Sequence, residues 1–365
     1  MERKEILRRT QECNVSYHLP GQTDRSAMPL GNGELCASVW ADQTGNICMY
    51  LSRSDAKTEY DRTVKLGMLK VNFSPNPFRE GVFLQELHIT KGLIEIKGAD
   101  GNVQIWTDRK KHALRMLADF PENITITPEI ICWRTEDIVP EGEFAAGGDV
   151  VETADIIDNC ENGTLFYHKN GKTIIEETAK LEGMGDYTDL IPDLLTDRIF
   201  GGYLSYRKTG RIFECSVMTH SAQMPSSDFS RYLIEEAETL DNAEDSRRIC
   251  REWWESYWTK SYIFVENDPD IVTETDPGLI SFIKEPLEYT CACRSAVTRA
   301  YTLTKYMTAC CSAGEFPILY NGMLFNLCPG ENRHFSIQRF GRSFTVQPEK
   351  FTPKVNPDER TWTTE

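Results

Sequence analysis

The stretch from Met28 to Trp40, MPLGNGELCASVW, holds the first residues whose spacing could do chemistry, the Gly31-Asn32-Gly33 turn. Closely spaced glycines can bring backbone N–H groups against a phosphate, but a dinucleotide fingerprint needs G-x-G-x-x-G running into a helix. Here Cys36 stands where the third glycine belongs, and strand-forming residues surround it, so a phosphate cradle is excluded. The twelve cysteines are the next candidates. Cys291 with Cys293 and Cys310 with Cys311 lack the C-x-x-C spacing of tetrahedral zinc sites, so neither a metal nor a cofactor is implied. Most of these cysteines read as thiols used as small hydrophobes in a reducing compartment. His168 in FYHKNG and His220 in MTHSAQ fall at the ends of strand-like runs and read as structural histidines. Trp253, Trp254 and Trp258 could form a sugar platform, yet Trp254 and Trp258 share one helix face at i, i+4, which predicts packing.

The elements that must position these residues follow from pattern and charge. A net charge of -16 excludes nucleic acid and anionic membrane as partners and leaves small neutral or cationic ligands. Apolar runs of about 18 residues are missing, and the opening MERKEILRRTQEC has no apolar h-region, so the chain as written reads as cytoplasmic. Its 365 residues, 40% of them hydrophobic, can bury a full core. ELCASVW and NICMYLS flank a polar DQTG, which predicts a hairpin, and the same grammar continues through GMLKVNF, FLQELHI, GLIEIKG, NVQIWTD, HALRMLADF and EIICWRT. GGYLSYR and RIFECSVMTH predict a late hairpin around Thr209-Gly210. Strands without intervening helices predict a mainly β, antiparallel sandwich or barrel reaching to about residue 222, and exclude an α/β oxidoreductase. EGEFAAGGDVVETADIIDNCENG and LEGMGDYTDLIPDLLTDR read as long surface loops. After Ser226-Ser227-Asp228 the composition turns helical, in two segments hinged near Asp241-Asn242. Val297, Ala300, Leu303, Met307 and Cys310, at steps of three and four, predict one more amphipathic helix, stopped by Gly314 and Pro317.

Four ordered motifs then carry a resemblance: MPLGNGELCASVW with GNICMYLSRSDA, FYHKNG, WWESYWTKSYI, and RAYTLTKYMTACCSAGEFPILYNGMLF. Together they resemble the N-terminal part of bacterial glycoside-hydrolase-like proteins that carry an N-terminal domain of unknown function. Those proteins are distantly similar to glycoside hydrolase family 95, the fucosidase and galactosidase group. The resemblance implies an antiparallel β-super-sandwich over residues 1–225, a helical linker over 226–275 and the incomplete start of an (α/α)6 barrel over 276–365. Twelve barrel helices need roughly 250 to 350 residues, and fewer than ~100 follow the linker. In the family the catalytic carboxylates lie on barrel segments after PILYNG, so no catalytic residue is assigned here. Glu285, Glu288, Glu315, Asp358 and Glu359 offer no pair at the separation of about 5 to 10 Å that glycoside hydrolysis requires. The chain is therefore expected to be the front part of a carbohydrate-active protein without turnover of its own. The alternative is a non-catalytic β-sandwich module that binds a glycan or docks to a protein. The resemblance puts Asn32, Ser54, Asp55 and Asn321 at a sugar-contacting edge; turn stabilisation by Asn32 and an Asx-type bond by Asp55 are the competing roles. Carbohydrate is the expected partner, with self-association or a complementing barrel polypeptide as further expectations. Shortening the chain to near residue 265 is expected to give a more soluble sandwich.

Overall fold

The computed structural model describes residues 1–21, 24–79, 81–139, 150–160, 163–190, 196–265 and 289–312, the turn Leu324–Asn326, and four short strands within 336–363. Two antiparallel sheets face one another, as the alternating and continuous apolar runs require. The smaller has five strands: β2 (Met28–Gly31), β3 (Leu35–Ala41), β4 (Asn46–Lys57), β5 (Thr63–Ser74) and β10 (Thr125–Ile131), in the order β10-β5-β4-β3-β2. The hairpin read from ELCASVW and NICMYLS is the β3–β4 pair, with Leu35 opposite Arg53 and Ala41 opposite Ile47. Asp42 closes its turn by accepting from the backbone N–H groups of Thr44 and Asn46.

The larger sheet has ten strands. Its centre is a meander of β6 (Leu84–His88), β7 (Leu93–Gly98), β8 (Gly101–Thr107) and β9 (Ala113–Asp119), flanked by β1 (Val15–Tyr17) and β15 (Tyr289–Thr290) on one side. On the other side lie β14 (Ile212–Gln223), β13 (Arg198–Thr209), β12 (Gly163–Lys169) and β11 (Ile156–Cys160). The late hairpin is β13–β14, with Thr209 opposite Ile212 and Gly210 at a φ of 57°, a conformation glycine adopts without strain. Leu30, Val39, Ile47 and Leu51 of the small sheet and Ile94, Ile105, Leu114 and Val217 of the large one share a single core.

Helices cover the flanks. α1 (Arg3–Gln11) and α2 (Ile174–Leu181) are additional to the sequence reading, and β11 is a strand inside a stretch read as loop. α3 (Ser226–Glu238) and α4 (Ala243–Lys260) meet at the expected hinge, where the Asn242 side chain caps α4 by accepting from Asp245 N–H. α5 (Ala296–Cys311) starts at a Ser295 cap whose hydroxyl accepts from Thr298 N–H. Trp254 and Trp258 are fully buried, and Trp258 donates its indole N–H to the Ile89 carbonyl at 2.9 Å. They seat α4 on the large sheet, as the i, i+4 spacing predicts. Tyr306 and Cys310 of α5 belong to the same core as the sandwich. Among the described residues, no helix is long and apolar enough to cross a membrane.

Candidate functional site

The Gly31-Asn32-Gly33 turn links β2 to β3, and its chemistry is the reverse of a phosphate cradle. Gly33, at a φ of 106°, donates its N–H to the Cys310 carbonyl at 2.8 Å. That carbonyl lies in the last turn of α5, where a helix leaves acceptors without partners and carries partial negative charge. The Cys36 thiol donates to the same oxygen at 3.2 Å. Gly31 is required by contact, since a Cβ there would lie 2.3 Å from the Cys310 carbonyl oxygen. Asn32 holds the turn with its whole capacity. Its amide donates to the carbonyls of Asp108 (2.9 Å) and Lys111 (3.1 Å), and its oxygen accepts from the N–H groups of Glu34 and Leu35.

Beside this turn lies a buried ionic cluster built by β4 and by Glu34, the residue just before β3. The β4–β5 register shifts at Ser52, freeing the next residues of β4 from the ladder and re-aiming their side chains. Arg53 then grips Asp55 through two parallel bonds, Nε to Oδ1 at 2.8 Å and Nη2 to Oδ2 at 2.7 Å. Its remaining nitrogen donates to the Thr219 hydroxyl at 3.2 Å. Glu34 closes the group, accepting from the Ser54 hydroxyl at 2.9 Å and from Arg53 at 3.4 Å. Burial works against the Asp55 carboxylate, but the Arg53 charge and its hydrogen bonds outweigh it and hold the group below the ordinary carboxylate range. His220 lies close enough to feel Arg53; burial, helped by that positive charge, pushes its pKa down to about 4 and keeps the ring neutral. Tyr232 packs on the His220 ring at 4.3 Å and is partly open to solvent.

A second buried network ties the two sheets together. His168 on β12 lies between Glu59 (Nε2 to Oε2, 3.1 Å) and Asp155 (Nδ1 to Oδ1, 3.0 Å). Arg134 donates to the same Asp155 oxygen at 2.7 Å, and Phe200 stacks on the imidazole. Glu59 also accepts from the N–H groups of Thr153 and Gly171. Burial opposes the imidazolium, yet the two carboxylates raise the His168 pKa above its ordinary value, while His168 helps lower that of Glu59.

Three of the four sequence-derived candidates, Asn32, Ser54 and Asp55, therefore gather around Glu34; Asn321 lies outside the described residues, as do Glu285, Glu288, Glu315, Asp358 and Glu359. Sequence reasoning passed over Glu34 and Arg53. Their signal was available, since both charged residues sit inside otherwise strand-like runs where a charge must find a partner.

The family model described as "Domain of unknown function (DUF5703)", in its N-terminal form DUF5703_N, matches residues 16–212, more than half of the chain. The chain belongs to the DUF5703 family. In the DUF5703 segment lie the turn, the charged members of the ionic cluster and the His168 network, while Thr219, α4 and α5 fall beyond the matched range. No curated protein matches the chain in sequence. Among solved structures, "Putative kojibiose phosphorylase from human microbiome" superposes with a TM-score of 0.36 at 8% identity, over 73% of this chain. The chain spans 35% of the length of that structure.

Proposed function

We propose that this chain is the sandwich and joint of a glycoside-acting protein, and that it lacks turnover of its own. The observation that carries the reading is the contact between Gly33 and Cys310, because it brings two of the resemblance-bearing motifs, 277 positions apart, into one interface. Such a joint is what a sandwich held against the first helix of a catalytic domain needs. The carboxyl chemistry agrees. A glycosidase needs one carboxyl kept protonated at working pH. Every described carboxyl displaced from its ordinary range is displaced downward: Glu5, Asp55, Glu59 and Asp245. Asp55 and Glu34 are also desolvated and tied to Arg53, so neither is free to meet a glycosidic oxygen. Within this reading Asn32, Ser54 and Asp55 shape the sugar-facing edge from beneath, and direct contact falls to the more open Tyr232 and to His112, an exposed residue whose carbonyl accepts from the Thr219 hydroxyl at 2.8 Å and whose ring feels Arg53 and Asp55.

The test is an assay of the purified chain on aryl fucosides and galactosides, with a titration of the free sugars followed by NMR. The expected result is no cleavage above background, and amide shifts confined to the surroundings of His112 and Tyr232. Cleavage that survives purification and is lost in Asp55→Asn would overturn the non-catalytic reading; shifts elsewhere would overturn the assigned edge.

A docking module is favoured by a different observation. Leu181, Met184, Tyr187 and Leu190 are all exposed within ten residues, apolar area of the kind a partner surface covers.

A further inference from the structure

The joint holds an unassigned pair of thiols. Cys36 sits on β3 and Cys311 ends α5, and with Leu324 they form a small buried cluster of their own, both sulfurs closed off from solvent. The two thiols share that cluster, and each has its own acceptor: the Cys36 thiol donates to the Cys310 carbonyl at 3.2 Å and the Cys311 thiol to the Met307 carbonyl at 3.2 Å. The neighbouring backbone is pinned on both sides, by the Gly33 N–H on the Cys310 carbonyl and by the Tyr306 hydroxyl on the Pro29 carbonyl at 3.1 Å. Neither cysteine is used by the ionic cluster or the His168 network. We propose that Cys36 and Cys311 are a dithiol that a peroxide converts to a disulfide, locking α5 covalently to the small sheet.

The roles of the two sulfurs differ. When Cys311 ionises, the Cys36 proton can turn from the Cys310 carbonyl to the new thiolate, which holds the Cys311 thiol below its ordinary range, whereas burial pushes Cys36 and Cys310 well up. Cys311 is therefore the nucleophile. Hydrogen peroxide is small enough to reach a buried sulfur during local opening. The Cys311 sulfur attacks one peroxide oxygen, the O–O bond breaks, and the departing hydroxide takes up a proton as water, leaving a sulfenic acid. The Cys36 sulfur then attacks Cys311, the S–O bond breaks, and a second water leaves with the Cys36 proton. Two thiols thus supply the two electrons that reduce one peroxide to two waters.

The experiment uses the full chain, fully reduced, freed of reductant and titrated with hydrogen peroxide. Linked peptides are mapped by mass spectrometry without reduction, and bonds are located by fragmentation. The expected product joins Cys36 to Cys311, persists in Cys310→Ala, is lost in Cys311→Ala, and raises the melting temperature by roughly 5–10 °C until a reductant is added. In Cys36→Ala, which also removes the group that lowers the Cys311 pKa, Cys311 should oxidise more slowly, stop at the sulfenic acid and be captured by a cyclic 1,3-dione. A link from Cys36 to Cys310, passage of wild-type Cys311 to the sulfinic acid, or oxidation of the half-buried Cys132 and Cys160 with the pair left reduced would each overturn the proposal. If Cys36→Ala does not fold, the wild-type map alone decides.

Discussion

At the scale of single residues, the ionic cluster shows how a charge can be placed inside a strand-built core. Arg53 satisfies two carboxylates at once, and each of the three groups is almost wholly removed from water. Replacing such a pair by apolar residues is often neutral, but removing one member leaves the others desolvated and uncompensated. Arg53→Met is therefore expected to cost about 3–5 kcal/mol in urea unfolding at neutral pH. The sign of its pH dependence follows from Asp55, whose folded pKa is depressed. In the wild type its contribution is present above the unfolded value of 3.8 and lost as pH falls through the folded one. In Arg53→Met the orphaned carboxylates prefer to be protonated, so the gap between variant and wild type should narrow on acidification. A gap that stays constant between pH 7 and about pH 4 would show that Arg53 acts by packing and not by charge.

At the scale of elements, the His168 network joins the turn after β4 to β12 and to the backbone preceding β11, and so closes one end of the sandwich. The raised His168 pKa gives stability that is fully present below 6.5 and lost as pH rises through the folded value. The lowered Glu59 pKa gives stability present above 4.5 and lost as pH falls through the folded value. Both contributions coexist between 4.5 and 6.5. A series of urea midpoints should show the wild type declining on the alkaline side of that window and His168→Gln declining less; parallel curves would count against the imidazolium. This network was legible in the sequence only as far as His168 being structural, because its partner Glu59 lies 109 positions away and no local pattern reports such a contact. Elements with strong local punctuation were legible: Gly210 in its hairpin and Asn242 at its helix start. α1 was not, since buried Ile6 stands almost alone among charges, and β11 was not, since its residues are exposed on a sheet edge and show no alternation. For the site, Asn32, Ser54 and Asp55 could be named from their motif. The residue that fixes Asp55, Arg53, becomes visible only through the β3–β4 pairing and the register shift at Ser52.

At the scale of the whole molecule, the packing of α5 reverses one expectation drawn from the sequence. The apolar pattern after residue 293 predicts a segment that could be removed to leave a better-behaved sandwich. In the structure the Tyr306 ring is fully buried and packs 4.7 Å from that of Trp254, which in turn seats α4 on the large sheet. Ending the chain near residue 265 would uncover that face. It would also strip the Pro29 carbonyl of the Tyr306 hydroxyl, and the Gly33 N–H and Cys36 thiol of their shared acceptor. Losing one buried aromatic side chain alone costs about 3–5 kcal/mol, a large fraction of the net stability of a domain. The shortened chain is therefore expected to melt at lower temperature, to bind a hydrophobic dye more strongly and to scatter more light than the full chain at equal concentration. Because the lost cover is mainly aromatic, Tyr306→Ala in the full chain should reproduce part of the loss, and Tyr306→Phe, which removes only the bond to Pro29, a smaller part of about 1 kcal/mol. A shortened chain as stable and as monomeric as the full one would mean that the core shared by the two sheets stands without α5, and that the contact between Gly33 and Cys310 holds a helix the sandwich does not need.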